Sequence, residues 1–206
     1  LLHLALRDPM PEVRKATLAV SISLPEATRV ELLSASLDET TTSVIKAWST
    51  LFRSLALEQQ TPLLLAKLAP ERPEAMRRNG LELMQGSTDL SNSEMATDYL
   101  IRLFANRKDS LHWEQAQLLS ESPRPEGKQA LMSVLGKIEE PLRVRELALD
   151  TLIQQPADFA LQKLVALTTS EPSDELRIKA ADGLVEQFCE ELGEACRQYV
   201  RERPTK

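Results

Sequence analysis

Asp8-Pro9-Met10-Pro11-Glu12-Val13-Arg14-Lys15-Ala16 decides the fold, because its second half returns five more times along the chain. The recurring unit is an apolar residue, usually followed by Arg or Lys within two positions, at the start of a run with helical apolar spacing. It reads Val13-Arg14-Lys15-Ala16, Val44-Ile45-Lys46-Ala47, Met76-Arg77-Arg78, Leu111-His112-Trp113, Val144-Arg145-Glu146 and Leu176-Arg177-Ile178-Lys179. Aligned on the residue after the apolar one, the copies fall at 14, 45, 77, 112, 145 and 177, in steps of 31, 32, 35, 33 and 32. A period in this range is the mark of stacked supersecondary units, each of which buries its apolar face only against its neighbours.

The copies agree beyond the anchor. Three residues after it stand Thr17, Trp48, Gly80, Gln115, Ala148 and Ala180, and further on Val20, Leu51, Leu83 and Leu118, with Leu152 and Leu184 one residue later. Offsets near four and seven form one apolar stripe on a helix of 3.6 residues per turn. Trp48 stands where the next copy has Gly80, which suggests that the indole fills the space of the missing side chain. The alternative is a Trp48 half exposed on the surface.

A second helical segment lies between successive copies, so each period holds a helix pair. The helices are expected at 1–7, 11–23, 26–37, 42–57, 61–69, 73–85, 91–106, 109–120, 125–137, 141–154, 157–168, 174–190 and 193–202. Asp174 is expected to cap the sixth motif helix, and Ser91 with Glu94 to form a capping box. Pro11, Pro25, Pro62, Pro73, Pro123, Pro125, Pro141, Pro156 and Pro172 fall at or near these boundaries, where proline fits a first turn and breaks an interior. No run alternates cleanly with the two-residue period of a strand.

Composition fits this picture. The chain has 206 residues, 42% hydrophobic and 27% charged, with only 4% aromatics. These values disfavour disorder. The most apolar stretch, between Pro62 and Pro70, is far too short to span a bilayer. The opening Leu1-Leu2-His3-Leu4-Ala5-Leu6 reads as the last turns of a helix. The expectation is therefore a fragment of a longer array with a truncated first repeat, in which the lack of a signal peptide leaves the location open. Net charge is -6. Residues 111–206 hold most of the excess acid, concentrated at Asp182, Glu186, Glu190, Glu191 and Glu194 with no Lys or Arg between them. Phosphate-backbone binding needs a net basic stripe, so the overall charge argues against a nucleic-acid partner, though not against a local patch.

The Asp8–Ala16 unit resembles the inter-helix turn and second-helix start of a HEAT repeat, with its Asp-Pro turn followed by Val-Arg and Ala. Glu139-Glu140-Pro141-Leu142-Arg143-Val144-Arg145 with Ala148, and Glu171-Pro172 to Leu176-Arg177 with Ala180-Ala181, look similar. The resemblance is to the short HEAT-like repeats common in bacteria and extends over essentially the whole chain. It implies an all-α fold, a right-handed α-α superhelix of about six helix pairs forming a single domain over 1–206, with second helices lining a concave face. It also implies a ladder between repeats formed by turn acids and motif arginines. Asp8 and Arg14 match that ladder; Asp38 offers the next acid, but Ile45 replaces the next Arg and only Lys46 brings charge.

Chemistry is sparse. His3 and His112 are the only histidines, with no His-Glu dipeptide and no ligand pair at helical spacing, so no metal site is nominated. The di-iron hydroxylases among HEAT-like enzymes depend on His-Glu motifs, which are missing. His112 reads as a surface or interface residue rather than a ligand or general base. Cys189 and Cys196 are seven apart, about 10 Å along an unbroken helix and beyond disulfide reach. A reversal at Gly193 would let them meet, so two thiols and a bridge both stay open. No glycine-rich phosphate loop, nucleophile elbow or paired-carboxylate site stands out, and no catalytic residue or cofactor is nominated.

Two arrays remain as binding candidates. Arg14, Lys15, Lys46, Arg77, Arg78, His112, Arg145, Arg177 and Lys179 recur at the starts of second helices, as a structural ladder or as a groove for an acidic peptide. Asp182, Glu186, Glu190, Glu191 and Glu194 form an acidic patch or a plain solvated face. The leading expectation is a non-catalytic scaffold that binds a protein or peptide on its concave surface. Two alternatives stand beside it: a HEAT-like DNA glycosylase recruiting Trp48, Trp113 and Asp109, and a lyase acting on a bilin.

Overall fold

The computed structural model describes residues 1–192; the side chains at 157, 158 and 188–192 are not described. The fold is all-α. The elements are α1 (Leu2–Ala5), α2 (Pro11–Val20) followed by a 3-10 turn (Ser21–Ser23), α3 (Glu26–Ala35), α4 (Thr42–Phe52), α5 (Leu57–Leu68), α6 (Glu74–Gln85), α7 (Thr88–Asn92), α8 (Glu94–Phe104), α9 (His112–Ser120), α10 (Pro125–Met132), α11 (Leu142–Ile153), α12 (Ala157–Ser170) and α13 (Asp174–Leu192). The chain divides into two compact units, residues 1–127 and the part from Lys128 onward.

In the first unit the helices pair as α1 with α2, α3 with α4, α5 with α6 and α8 with α9. The motif helices also pack in succession, α2 on α4, α4 on α6 and α6 on α9, while α1, α3, α5 and α8 form a second succession. In the second unit α12 packs on both α11 and α13, and α11 touches α13. Its core contains Met132, Leu149, Leu152, Ala160, Leu164, Leu176 and Ala180.

The reason the motif recurs is visible in burial. Six positions are buried in the same order in four helices: Val44, Ile45, Trp48, Ser49, Leu51 and Phe52; Met76, Arg77, Gly80, Leu81, Leu83 and Met84; Leu111, His112, Gln115, Ala116, Leu118 and Leu119; Val144, Arg145, Ala148, Leu149, Thr151 and Leu152. This is a wide helical stripe, the kind a helix needs when it packs on a partner and on a neighbouring pair at once. The first repeat departs from it. Val20 is exposed and Ser21 is buried, because the chain tightens into a 3-10 turn after Val20.

Several boundaries differ from expectation, each for a local reason. α5 starts at Leu57 and carries Pro62 inside it. Glu26 Oε1 accepts the Ala56 N–H at 2.7 Å and fixes the start one turn early. Burial of Leu63, Leu64 and Leu68 offsets the one backbone bond that Pro62 removes. α4 stops at Phe52 because Arg29 reaches the Ser54 carbonyl and hydroxyl at 2.8 and 2.6 Å, holding the chain in a turn. Ser91 does not cap α8. It lies inside α7, and the Ser93 hydroxyl accepts the Ala96 N–H instead. Asp174 likewise opens α13 as its first residue, and Ser173 accepts the Leu176 N–H. The segment expected at 193–202, Cys196 and Glu194 lie outside the described residues, as does the side chain of Cys189.

Trp48 is fully buried, but it does not fill the space at Gly80. A Cβ built on Gly80 would lie 2.8 Å from Leu68 Cδ2 and 3.6 Å from Lys67 Cγ, so the glycine admits α5, the partner within its own pair. The Trp48 indole N–H donates to the Leu33 carbonyl at 3.0 Å, and its ring stacks on Phe52. Lys67 Nζ sits 3.5 Å from the centre of that ring.

Candidate functional site

The nine candidate residues do not form one array. The structure sorts them by what each side chain touches.

Arg14, Arg77 and Arg145 are rungs between repeats. Arg14 forks onto Glu39, Nε to Oε2 at 2.7 Å and Nη2 to Oε1 at 3.1 Å, and also donates to the Asp8 carbonyl and the Thr41 hydroxyl. Arg77 is buried and pairs with Asp109 in the next inter-helix turn. Arg145 is buried and pairs with Glu171, again in the following turn. Bidentate and charge-assisted contacts of this kind are the strong ones, and the rungs range from half-buried at Arg14 to buried at Arg145. Burial works against the charge on Glu39, yet hydrogen bonds from Arg14 and Thr41 with the Arg14 charge hold its carboxyl at about 2. Burial opposes ionisation of Asp109 too, and hydrogen bonds from Arg77, the Leu111 N–H and Gln115 keep it below the usual carboxylate range.

The acids are not all the expected ones. Glu39, not Asp38, receives Arg14, while Asp8 turns its carboxylate to the Met10 N–H at 2.8 Å. Where Ile45 is buried at the motif position, Asp38 accepts Arg72 from the next turn at 2.7 Å. The polarity of the contact is reversed there, and Asp38 is largely exposed, so it contributes little. Glu171 does most for its unit. It is 2% exposed and accepts Arg145 together with the N–H groups of Gly136 and Ser173. Gly136 has φ +79°, a conformation that glycine adopts without strain.

Arg78, Arg177 and Lys179 are engaged nearer the surface. Arg78 bonds Glu74 at 2.9 Å and Glu114; Arg177 bonds Asp174 and the Glu171 carbonyl; Lys179 bonds Asp150 at 2.8 Å. Of the two places expected for His112, surface or interface, it takes the interface between α8 and α9. It is 5% exposed and stacked on Phe104 with ring centres 4.5 Å apart.

Lys15 and Lys46 differ from the other seven. Both are exposed, and neither has an acidic partner among the described residues. They line one groove between α2 and α4 with Leu18, Ala19, Ile22, Ser43, Ala47, Thr50 and Leu51, of about 380 Å³.

The acidic candidates are not brought together as a described site. Asp182 is half-buried and Glu186 exposed on α13, the side chains of Glu190 and Glu191 are not described, and Glu194 lies outside the described residues. Trp48, Trp113 and Asp109 do not assemble into an open site either, since Trp48 is enclosed and Asp109 is held by Arg77. Among the described residues no group of three or more His, Cys, Asp or Glu side chains is placed to hold a metal ion, and no helix is long and apolar enough to cross a membrane.

Lys67 was missed in the sequence. It is fully enclosed in α5, with Trp48 on one side and the Met76 sulfur 3.5 Å from Nζ. Burial pulls its pKa down to about 7 against the weaker opposing pull of Glu82. The signal was present: Lys67 stands on the same stripe as Leu63, Leu64 and Leu68, one helical turn from the first two and adjacent to the last.

No family model matches this chain, and no curated protein matches it.

Proposed function

We propose that the chain is a non-catalytic interaction scaffold of HEAT-like repeats, its helix pairs stacked into a right-handed superhelix, that binds a partner protein or peptide along the face of its second helices. The observation that carries this reading is the succession of motif helices, α2 on α4 on α6 on α9, joined by the half-buried rung from Arg14 and the buried Arg77. Repeats that bury the same six positions in four of the six copies spend their recurring pattern on stacking, and what remains is an extended helical surface suited to a long partner. The family assignment rests on the Asp-Pro, Val-Arg and Ala signature of the first copy and its echoes in the last two.

The DNA-glycosylase and bilin-lyase readings have no observation in their favour. Trp48 is used in packing and Asp109 in a rung.

Affinity purification of the intact natural protein, followed by light scattering of the eluted complex, tests the scaffold reading. A protein partner at fixed stoichiometry is the expected result. Duplex DNA binding that is tight at low salt and collapses as salt rises would contradict it.

A further inference from the structure

We propose that the groove between α2 and α4 is the docking site of an acidic, amphipathic segment of the partner protein. This rests on the scaffold reading and names its place and chemistry. The buried side chains of Leu18 and Leu51 form the floor. Ala19, Ser43, Ala47 and Thr50 are small, so two packed helices leave a channel between them where larger residues would have closed it. Ile22, 53% exposed, stands at the edge as an apolar lip. The lining is apolar with few polar groups, the usual character of a site that takes an anchoring side chain.

Charge selects the occupant. Lys46 is the only charged residue of α4. On α2 the charged residues are Glu12, Arg14 and Lys15, and Arg14 is already neutralised by Glu39. Lys15 and Lys46 are therefore exposed cations without acidic partners among the described residues, 31 positions apart in sequence and on the wall of one groove. In the next copy the equivalent Arg78 is tied to Glu74 and Glu114, so it offers no comparable charge to a ligand. In a chain of net charge -6 such a pair is a local positive site that attracts carboxylates. A segment with leucine-like anchors flanked by Asp or Glu fits both halves of the groove.

The test uses a fluorescein-labelled amphipathic helical peptide with leucines along one stripe and glutamates beside them, together with glutamine-for-glutamate and lysine-for-glutamate counterparts. Fluorescence anisotropy on the whole chain is expected to rank the glutamate peptide first. The double variant Lys15→Glu/Lys46→Glu is expected to weaken that peptide about tenfold or more and to favour the lysine counterpart. Both lysines are exposed and free of structural partners, and an unchanged circular-dichroism melt confirms that the variant folds. Hydrogen exchange should show protection on 11–22 and 42–52. Three results overturn the groove: no binding of the glutamate peptide, equal binding by the double variant, or a duplex bound in preference to the peptide through the same lysines. Protection on other second helices would also overturn it while leaving the scaffold reading intact. Loss of the natural partner's stoichiometric complex is the separate failure that would remove the scaffold itself.

Discussion

Lys67 shows how far a single side chain can depart from its residue type. A lysine enclosed beside an indole gains a cation–π contact, but it loses its water and has no carboxylate bonded to it. Its pKa of about 7 against 10.5 sets the sign of a pH effect. Below about 7 both folded and unfolded chains hold the proton, and the full cost of burying the charge is present. From about 7 to 10.5 only the unfolded chain holds it, so stability rises with pH, by at most about 1.4 kcal/mol per unit. Urea unfolding of the chain and of Lys67→Met at pH 7 and pH 9 should show the variant more stable at pH 7 and without this rise. Parallel pH dependence in the two proteins would rule the account out. Gly80 is the complementary case. A valine there overlaps Leu68, itself buried, and Gly80→Val is expected to destabilise by about 1–3 kcal/mol in the same unfolding assay, despite valine's better helix propensity. The sequence made Gly80 conspicuous but not its partner, and Lys67 was passed over although it stands on an apolar stripe. Gly80 was paired with Trp48 because they align between repeats, whereas the closer neighbour belongs to the helix within the pair. Sequence alignment between repeats says nothing about that packing.

The elements were legible where pattern and punctuation agreed and not where a tertiary contact decided. The motif helices emerged from their period alone, and the burial order repeated in α4, α6, α9 and α11 is the physical content of that period. α5 was misplaced because Pro62 reads as a start, while Glu26, 30 residues before Ala56, is what sets the start. α7 was overlooked because a five-residue helix has no periodicity to detect. The ladder was anticipated in kind but not in detail. Asp38 and Glu39 are adjacent acids, and which of them meets Arg14 depends on the turn's path rather than on composition. The rung from Arg145 to Glu171 has the clearest consequence. Glu171→Ala leaves a buried guanidinium unpaired and frees the Gly136 and Ser173 amides. A loss of about 3–5 kcal/mol is expected from its chemical denaturation. A loss under about 1 kcal/mol would mean that the rung is solvated and incidental.

At the scale of the molecule, the repeated arginine is a stacking element, and the proposed binding chemistry lies one residue beside it. That separation follows from burial. A rung must exclude water to hold its partner, and a residue that excludes water is closed to a ligand. Lys15 and Lys46, one position after the anchor, are exposed, with no acidic partner among the described residues. The sequence placed all nine basic and histidine candidates in one list because spacing cannot tell a rung from its neighbour. The proposed continuation of the helix pairs as one stacked array is tested most directly by small-angle X-ray scattering of the chain. The proposed superhelix predicts a radius of gyration well above the roughly 17 Å of a compact globule of 206 residues, with an elongated distance distribution. A value near 17 Å with a symmetric distribution would contradict the array.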